Sequence, residues 1–312
     1  MNGRERLQAV FEGRIPDKVP HFEMVFQIPE AAFGLSWPTW PEMAAAKTDA
    51  ERSRLLDKSL DIWEKIIERY DYAAVQIPVN YLGLVGEPAK RARKRWGDRV
   101  MLYDFNGGGT FWMMPGTEMM AFTELLYLRP DEAHAQARAK RDASIGLART
   151  QVDHGADFII INSDYAYNQG PFVSPKMFAE FITPYLAEIV AKMHEFGVPA
   201  ILHSDGDMSL ILDQIVSTGM DGYQSVDPQA NMDIAEVRRL FPNLLLMGNV
   251  KTSLLQHVDD PAIRESVRYC MNAAKPGGRY IFSTSNCIFN GMPLESYHVM
   301  LDEYEKLAWY GR

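Results

Sequence analysis

The chain has 312 residues, 47% hydrophobic and 23% charged, which is enough apolar material for one large core. A net charge of −9 leaves no basic stripe for nucleic acid, and no run of 18 apolar residues offers a membrane span. Two cysteines, Cys270 and Cys287, make no disulfide framework, and the expected compartment is the cytoplasm.

The opening, MNGRERLQAVFEGRIPDKVP, is a charged amphipathic helical segment and not a signal peptide. VPHFEMVF (19–26) and YDYAAVQIP (70–78) read as strands, with a long helix between them over roughly 48–69. MLYDFNGGGTFWMMPG (101–116) reads as two strands joined by a glycine-rich turn, a β-hairpin insertion. LLYLRP (125–130) is then the candidate for a further strand before a helix at 131–154.

From residue 158 onward strand and helix alternate. FIIINSD (158–164), VPAILHSD (198–205), DGYQSV (221–226), LLLMGNV (244–250) and RYIFSTSN (279–286) are short and nearly all apolar. Parallel strands covered on both faces have this character. Ser174-Pro175 is an expected helix start, and Gly197, Gly219 and Gly277 are expected stops. Eight strands favour a (β/α)8 TIM barrel, one α/β domain over 1–312, above an open doubly wound sheet. Neither G-x-G-x-x-G nor G-x-x-x-x-G-K-[ST] occurs, so no phosphate loop is expected.

A barrel carries its site at the C-terminal strand ends. The ends gather Glu23, Asn80, Tyr81, Asp164, Tyr165, Tyr167, His203, Asp205, Tyr223, Gln224, Asn249 and Cys287. So much polar and aromatic material at one rim points to an enzyme. His203 and Asp205 stand two apart on a strand and share a face. With Cys287 they form an N/O/S set for zinc with an open fourth position. The other reading is a hydrogen-bonded acid–base pair beside an idle thiol, and the sequence leaves both open. Glu23 inside a barrel is a ligand, a base or an ion-pair partner, because an unpaired buried carboxylate is costly. Asp164 is a catalytic candidate or a helix cap. Asn80, Tyr81, Tyr165, Tyr167, Tyr223, Gln224 and Asn249 are candidates for the substrate wall.

The segments RERLQAVFEGRIPDKVP, ILHSDGDMSLILDQIVSTGMDGYQSVDP, LLLMGNV, GGRYIFSTSN and AWYGR resemble the uroporphyrinogen decarboxylase superfamily. The resemblance covers nearly the whole chain and implies a (β/α)8 barrel. One branch of that superfamily decarboxylates uroporphyrinogen, with an arginine-rich N-terminal loop and an aspartate after the second strand. Here the first loop reads HFEMVFQIPE and the second-strand segment VQIPVNYLG, with neither feature. The other branch comprises corrinoid-dependent methyltransferases, several of which bind zinc through H-x-C and a later cysteine. His203 and Cys287 match that pattern, and Asp205 replaces the first cysteine.

A carboxylate in place of a thiolate suits activation of an oxygen. With the resemblance, this implies removal of methyl from an oxygen- or nitrogen-bound donor, of the O-demethylase component type. The chain would move methyl from a small, methoxylated, aromatic donor to the Co(I) of a partner corrinoid protein. Zinc held by His203, Asp205 and Cys287 or, failing zinc, a general acid from Glu23 or Asp164 would stabilise the departing alkoxide. No D-x-H-x-x-G motif is present, so cobalamin comes only through that partner. The alternatives are transfer from a methylcorrinoid to an acceptor such as tetrahydrofolate, and a ligand-binding barrel without catalysis. A homodimer is left open.

Overall fold

The computed structural model describes residues 1–78 and 80–311. Seven parallel strands form one sheet in chain order: β1 (Ala74–Gln76), β2 (Met101–Gly107), β3 (Phe158–Asn162), β4 (Ala200–His203), β5 (Gly222–Gln224), β6 (Leu245–Val250) and β7 (Tyr280–Thr284). Every residue of β4 to β7 is buried, as the apolar runs require. The stave ahead of β1 is irregular. It pairs as parallel bridges, His21 with Phe282 and Phe26 with Ile288. Phe282 N–H donates to Pro20 O (2.9 Å), and Ala73 N–H donates to His21 O (2.8 Å). The segment thus spans from β7 to β1 and closes a TIM-like barrel.

Local chemistry sets the helices. The first, α1 (Gly3–Phe11), starts at a capping box of Asn2 and Glu5. It covers the N-terminal end of the barrel, where Phe11 meets Phe158 at 5.4 Å and Phe158 stacks on Tyr103 at 5.3 Å. The opposite end is left for a site. The long helix α2 (Asp49–Tyr70) starts at a second capping box, Thr48 with Glu51, and buries Leu56, Leu60, Trp63 and Ile67 along one stripe. Ser174 caps the helix that begins at Pro175, its Oγ accepting from Met177 N–H at 3.3 Å. Gly197, Gly219 and Gly277 all take left-handed backbone, with φ +84, +84 and +82.

Three expectations are corrected. The stretch 101–116 is not a hairpin: Met101–Gly107 is a central barrel strand, parallel to β1 on one side and β3 on the other. Its polar residues are satisfied without a solvent face, as Asn106 donates to Ser144 O (3.0 Å) and Gln151 Oε1 (3.3 Å) behind the sheet. Residues 125–128 are helical, the end of α3 (Gly116–Leu128), which buries Phe122, Leu125 and Leu126 at helical spacing. The helix expected at 175–196 breaks at Ile182 into Pro175–Phe181 and Thr183–Glu195, because Pro184 lacks the N–H that would continue it. The short hairpins present lie elsewhere, at Asn80–Tyr81 with Leu84–Val85 and at Ala166–Tyr167 with Gly170–Pro171. Among the described residues, no helix is long and apolar enough to cross a membrane.

Candidate functional site

His203 is the last residue of β4, and the parallel register sets it beside Asn162 of β3 and Gln224 of β5. Its Nδ1 meets Gln224 Oε1. Gln224 Nε2 donates to the carbonyls of Thr284 (3.4 Å) and Ser285 (3.2 Å), so the amide oxygen must face the imidazole. His203 Nδ1 therefore donates to Gln224, and Nε2 faces two carboxylates, with Asp164 Oδ1 at 3.9 Å and Asp205 Oδ2 at 4.0 Å. Three acceptors converging on one point repel unless a cation, proton or metal, lies among them. Asp164, His203 and Asp205 each offer a donor atom, all within 4.8 Å of one another, and this chemistry fits a divalent cation.

The carboxylates are held in place. Asp205 Oδ1 accepts from Ser225 Oγ (2.7 Å), and its Oδ2 accepts from Asn286 Nδ2. Asp164 Oδ1 accepts the Asp205 N–H (3.0 Å). Burial pushes the Asp205 pKa up, and the charges of Asp164 and Asp227 add to this, while His203 and Ser225 oppose it. Ser225 and Val226 both sit at positive φ (101 and 47) without being glycine, and such strain gathers at functional sites. Gly206 turns the chain at φ +90, where a Cβ would lie 2.2 Å from Ala166 O. Only glycine lets the Asp205 loop press against the 166–171 hairpin.

The hydrogen bonds continue from His203 through Gln224 and Thr284 to Glu23. Glu23 is fully buried and accepts from Thr284 N–H (3.1 Å) and Thr284 Oγ1 (2.7 Å). Desolvation raises its pKa to about 8, against the opposing Thr284 hydrogen bonds. It is a neutral acid at pH 7.

Cys287 is not part of the gathered group; Asp164 stands where it was expected. Asn286, one residue earlier, already occupies the Asp205 oxygen on that side. Burial, then the charges of Glu23 and Asp205, push the Cys287 thiol up, which keeps it protonated. The expected substrate wall also divides. Tyr165 and Tyr223 are fully buried, their hydroxyls bonded to Thr110 Oγ1 (3.2 Å) and Ser204 O (3.1 Å), and they pack the core. Asn249 donates to Val226 O (2.7 Å) and accepts from Cys270 Sγ (3.2 Å), tying β6 to the helix layer. Gln224 orients His203. Tyr167 and Asn80 are exposed, and Tyr81 is half-buried with its hydroxyl 3.3 Å from Ser59 Oγ. Sequence reasoning placed Ser225 and Asn286 at the strand ends without giving them a role, and missed Thr284 and Asp227. The available signal was their place just past the ends of β5 and β7.

The family model for uroporphyrinogen decarboxylase (URO-D) matches residues 61–307. The chain belongs to the uroporphyrinogen decarboxylase family. A uroporphyrinogen decarboxylase of Anaeromyxobacter dehalogenans is 29% identical over 250 residues, 77% of this chain and 69% of that protein. The chloroplastic uroporphyrinogen decarboxylase of Nicotiana tabacum is 28% identical over 233 residues, 71% of this chain and 56% of that protein. In fold, the chain is similar to a methyltransferase from Methanosarcina mazei, with TM-score 0.76 at 17% identity, covering 98% of this chain and 99% of that one. This member of the uroporphyrinogen decarboxylase family has an acidic rim, with Asp164 and Asp205 about His203 and the charge of Asp227 acting on Asp205. Residues 19–40 contain neither arginine nor lysine.

Proposed function

We propose that the chain is a methyltransferase that removes a methyl group from a small oxygen-bound donor and passes it to the corrinoid of a separate partner protein. The observation that carries this reading is the cluster of Asp164, His203 and Asp205, with His203 Nε2 held toward the two carboxylates by Gln224. A divalent cation such as zinc at these three residues would supply Lewis acidity to a donor oxygen. The full-length likeness in fold to a methyltransferase supports the class of reaction. Decarboxylation of a polyacidic porphyrinogen fits poorly: a polyanion would meet three rim carboxylates and a first loop without arginine.

The chain's own residues have separable roles in this reading. Gln224 fixes the His203 tautomer. Ser225 and Asn286 fix the Asp205 carboxylate. Glu23, fully buried and held neutral by desolvation, stands behind the site, joined to His203 through Thr284 and Gln224. Methylation of a thiol is disfavoured, because thiol-activating sites use sulfur ligands and Cys287 stands outside the group.

The test mixes the protein with a corrinoid protein in its Co(I) state and a panel of methoxylated aromatics, followed by cobalamin absorbance. The reading expects a spectral change with at least one donor. It expects His203→Ala to slow that change by roughly 100-fold or more, the scale of losing an electrostatic or acid–base group. An unchanged rate in His203→Ala contradicts the assignment of this site.

A further inference from the structure

A second feature of the rim lies away from His203. A cavity of about 210 Å³ opens between the first stave, the end of β1 and helix α2. Trp37 and Trp63 wall it with ring centroids 5.1 Å apart, and Phe26, Leu60 and Tyr81 complete the apolar lining. Among the described residues, no Asp, Glu, Lys, Arg or His lines it. Its polar groups are neutral: the Gln27 and Gln76 amides, Ser59 Oγ and Tyr81 OH, the last two 3.3 Å apart. The Gln27 oxygen is already engaged by the Asn290 N–H at 3.0 Å. Gln76 ends β1, is half-buried and belongs to the cavity lining.

We propose that this cavity binds a neutral, single-ring aromatic compound, with the Gln76 amide reading one oxygen substituent. Size supports the class: an apolar cavity of about 150 Å³ takes benzene, so this one holds a ring with one or two small substituents. Wall chemistry supports it as well. Two indoles and a phenol offer faces and edges to a flat ring, which aromatic pairs favour. Charge sets the selectivity. With no cation in the lining, a benzoate must shed water from its carboxylate without a partner, and it is rejected in favour of a phenol or a methyl aryl ether. Among the described residues the cavity shares no lining residue with the Asp164, His203 and Asp205 group, and binding there needs neither metal nor corrinoid.

The experiment titrates anisole and benzoate into the purified full-length protein and follows tryptophan fluorescence, to which Trp37 and Trp63 contribute. Anisole is expected to give a saturable change with a Kd of about 1 mM or lower, fitting its few heavy atoms. Benzoate is expected to bind at least about tenfold more weakly. Ser59→Phe, which fills the cavity from α2, and Tyr81→Ala, which opens its wall, are each expected to weaken anisole by at least about tenfold at unchanged circular dichroism. The proposal is overturned by no saturable change, by benzoate binding as tightly as anisole, or by wild-type affinity in both folded variants. The anisole-to-benzoate ratio decides even where a variant fails to fold. Binding without methyl transfer upholds the cavity and counts against the methyl-transfer reading alone. Methyl transfer from an anisole that does not bind here overturns the cavity alone.

Discussion

At the scale of single residues, the site depends on what holds His203 as much as on His203 itself. Gln224 spends both amide hydrogens on backbone carbonyls and leaves its oxygen for the imidazole. Gln224→Leu frees the ring to rotate and removes the reason for the Nδ1–H tautomer. Metal affinity, measured by calorimetric titration with zinc, should fall by roughly 10- to 100-fold, the usual cost of a lost orienting partner. Gln224→Glu keeps an acceptor at Nδ1 and should recover most of it. Equal affinity in wild type and Gln224→Leu would show that the tautomer is set elsewhere.

Glu23 gives a second prediction, on stability against pH. Its native pKa, about 8, lies above the ordinary 4.5. Below 4.5 the acid is neutral folded or unfolded, and its contribution is complete. Between 4.5 and 8 the unfolded chain gives up the proton and the native chain keeps it, so stability drains as pH rises, by roughly 1.4 kcal/mol per unit. Above 8 the loss levels off. His21 works in the opposite sense at lower pH, since burial holds its pKa at about 4. The clean measurement is therefore the difference in urea-unfolding free energy between wild type and Glu23→Gln across pH 5 to 8. It should slope against wild type, and a flat difference contradicts a buried neutral acid.

At the scale of elements, the sequence was readable where burial is uniform and opaque where polar groups are satisfied internally. The five βα units from 158 onward stood out because their strands are almost wholly apolar and glycine stops three of their helices. The 101–107 strand did not, since Tyr103, Asp104 and Asn106 look like the alternation of a surface hairpin. Asn106 is in fact satisfied by Ser144 and Gln151 on the helix behind it, a pairing that no local period reveals. Site residues followed the same rule. Position marked His203, Asp205 and Asp164 as rim residues, but whether Asp164 or Cys287 joins the pair depends on how two loops meet. Gly206 belongs to this scale. Gly206→Ala places a Cβ against Ala166 O in left-handed backbone, so the Asp205 loop must lift from the hairpin. The expected result is about 1–3 kcal/mol lost in chemical unfolding together with weaker zinc binding. Wild-type stability in that variant would contradict the packing described.

At the scale of the whole molecule, the barrel sorts stability from chemistry by end. Helix α1 and the Phe11, Phe158 and Tyr103 rings close the N-terminal end, and the acidic cluster and the aromatic cavity share the C-terminal rim. The count of eight was reached with one member misplaced: Met101–Gly107 completes the barrel, and 125–128 is helical. The first stave was legible although irregular, because HFEMVF carries the apolar content of a strand even where its pairing is reduced to isolated bridges. Asp164, His203 and Asp205 are proposed to hold one divalent cation together. The direct measurement is zinc content by elemental analysis after reconstitution, in wild type, Asp164→Ala and Cys287→Ser. One zinc per chain is expected in wild type and in Cys287→Ser, and its loss in Asp164→Ala. Zinc retained in Asp164→Ala and lost in Cys287→Ser would contradict it.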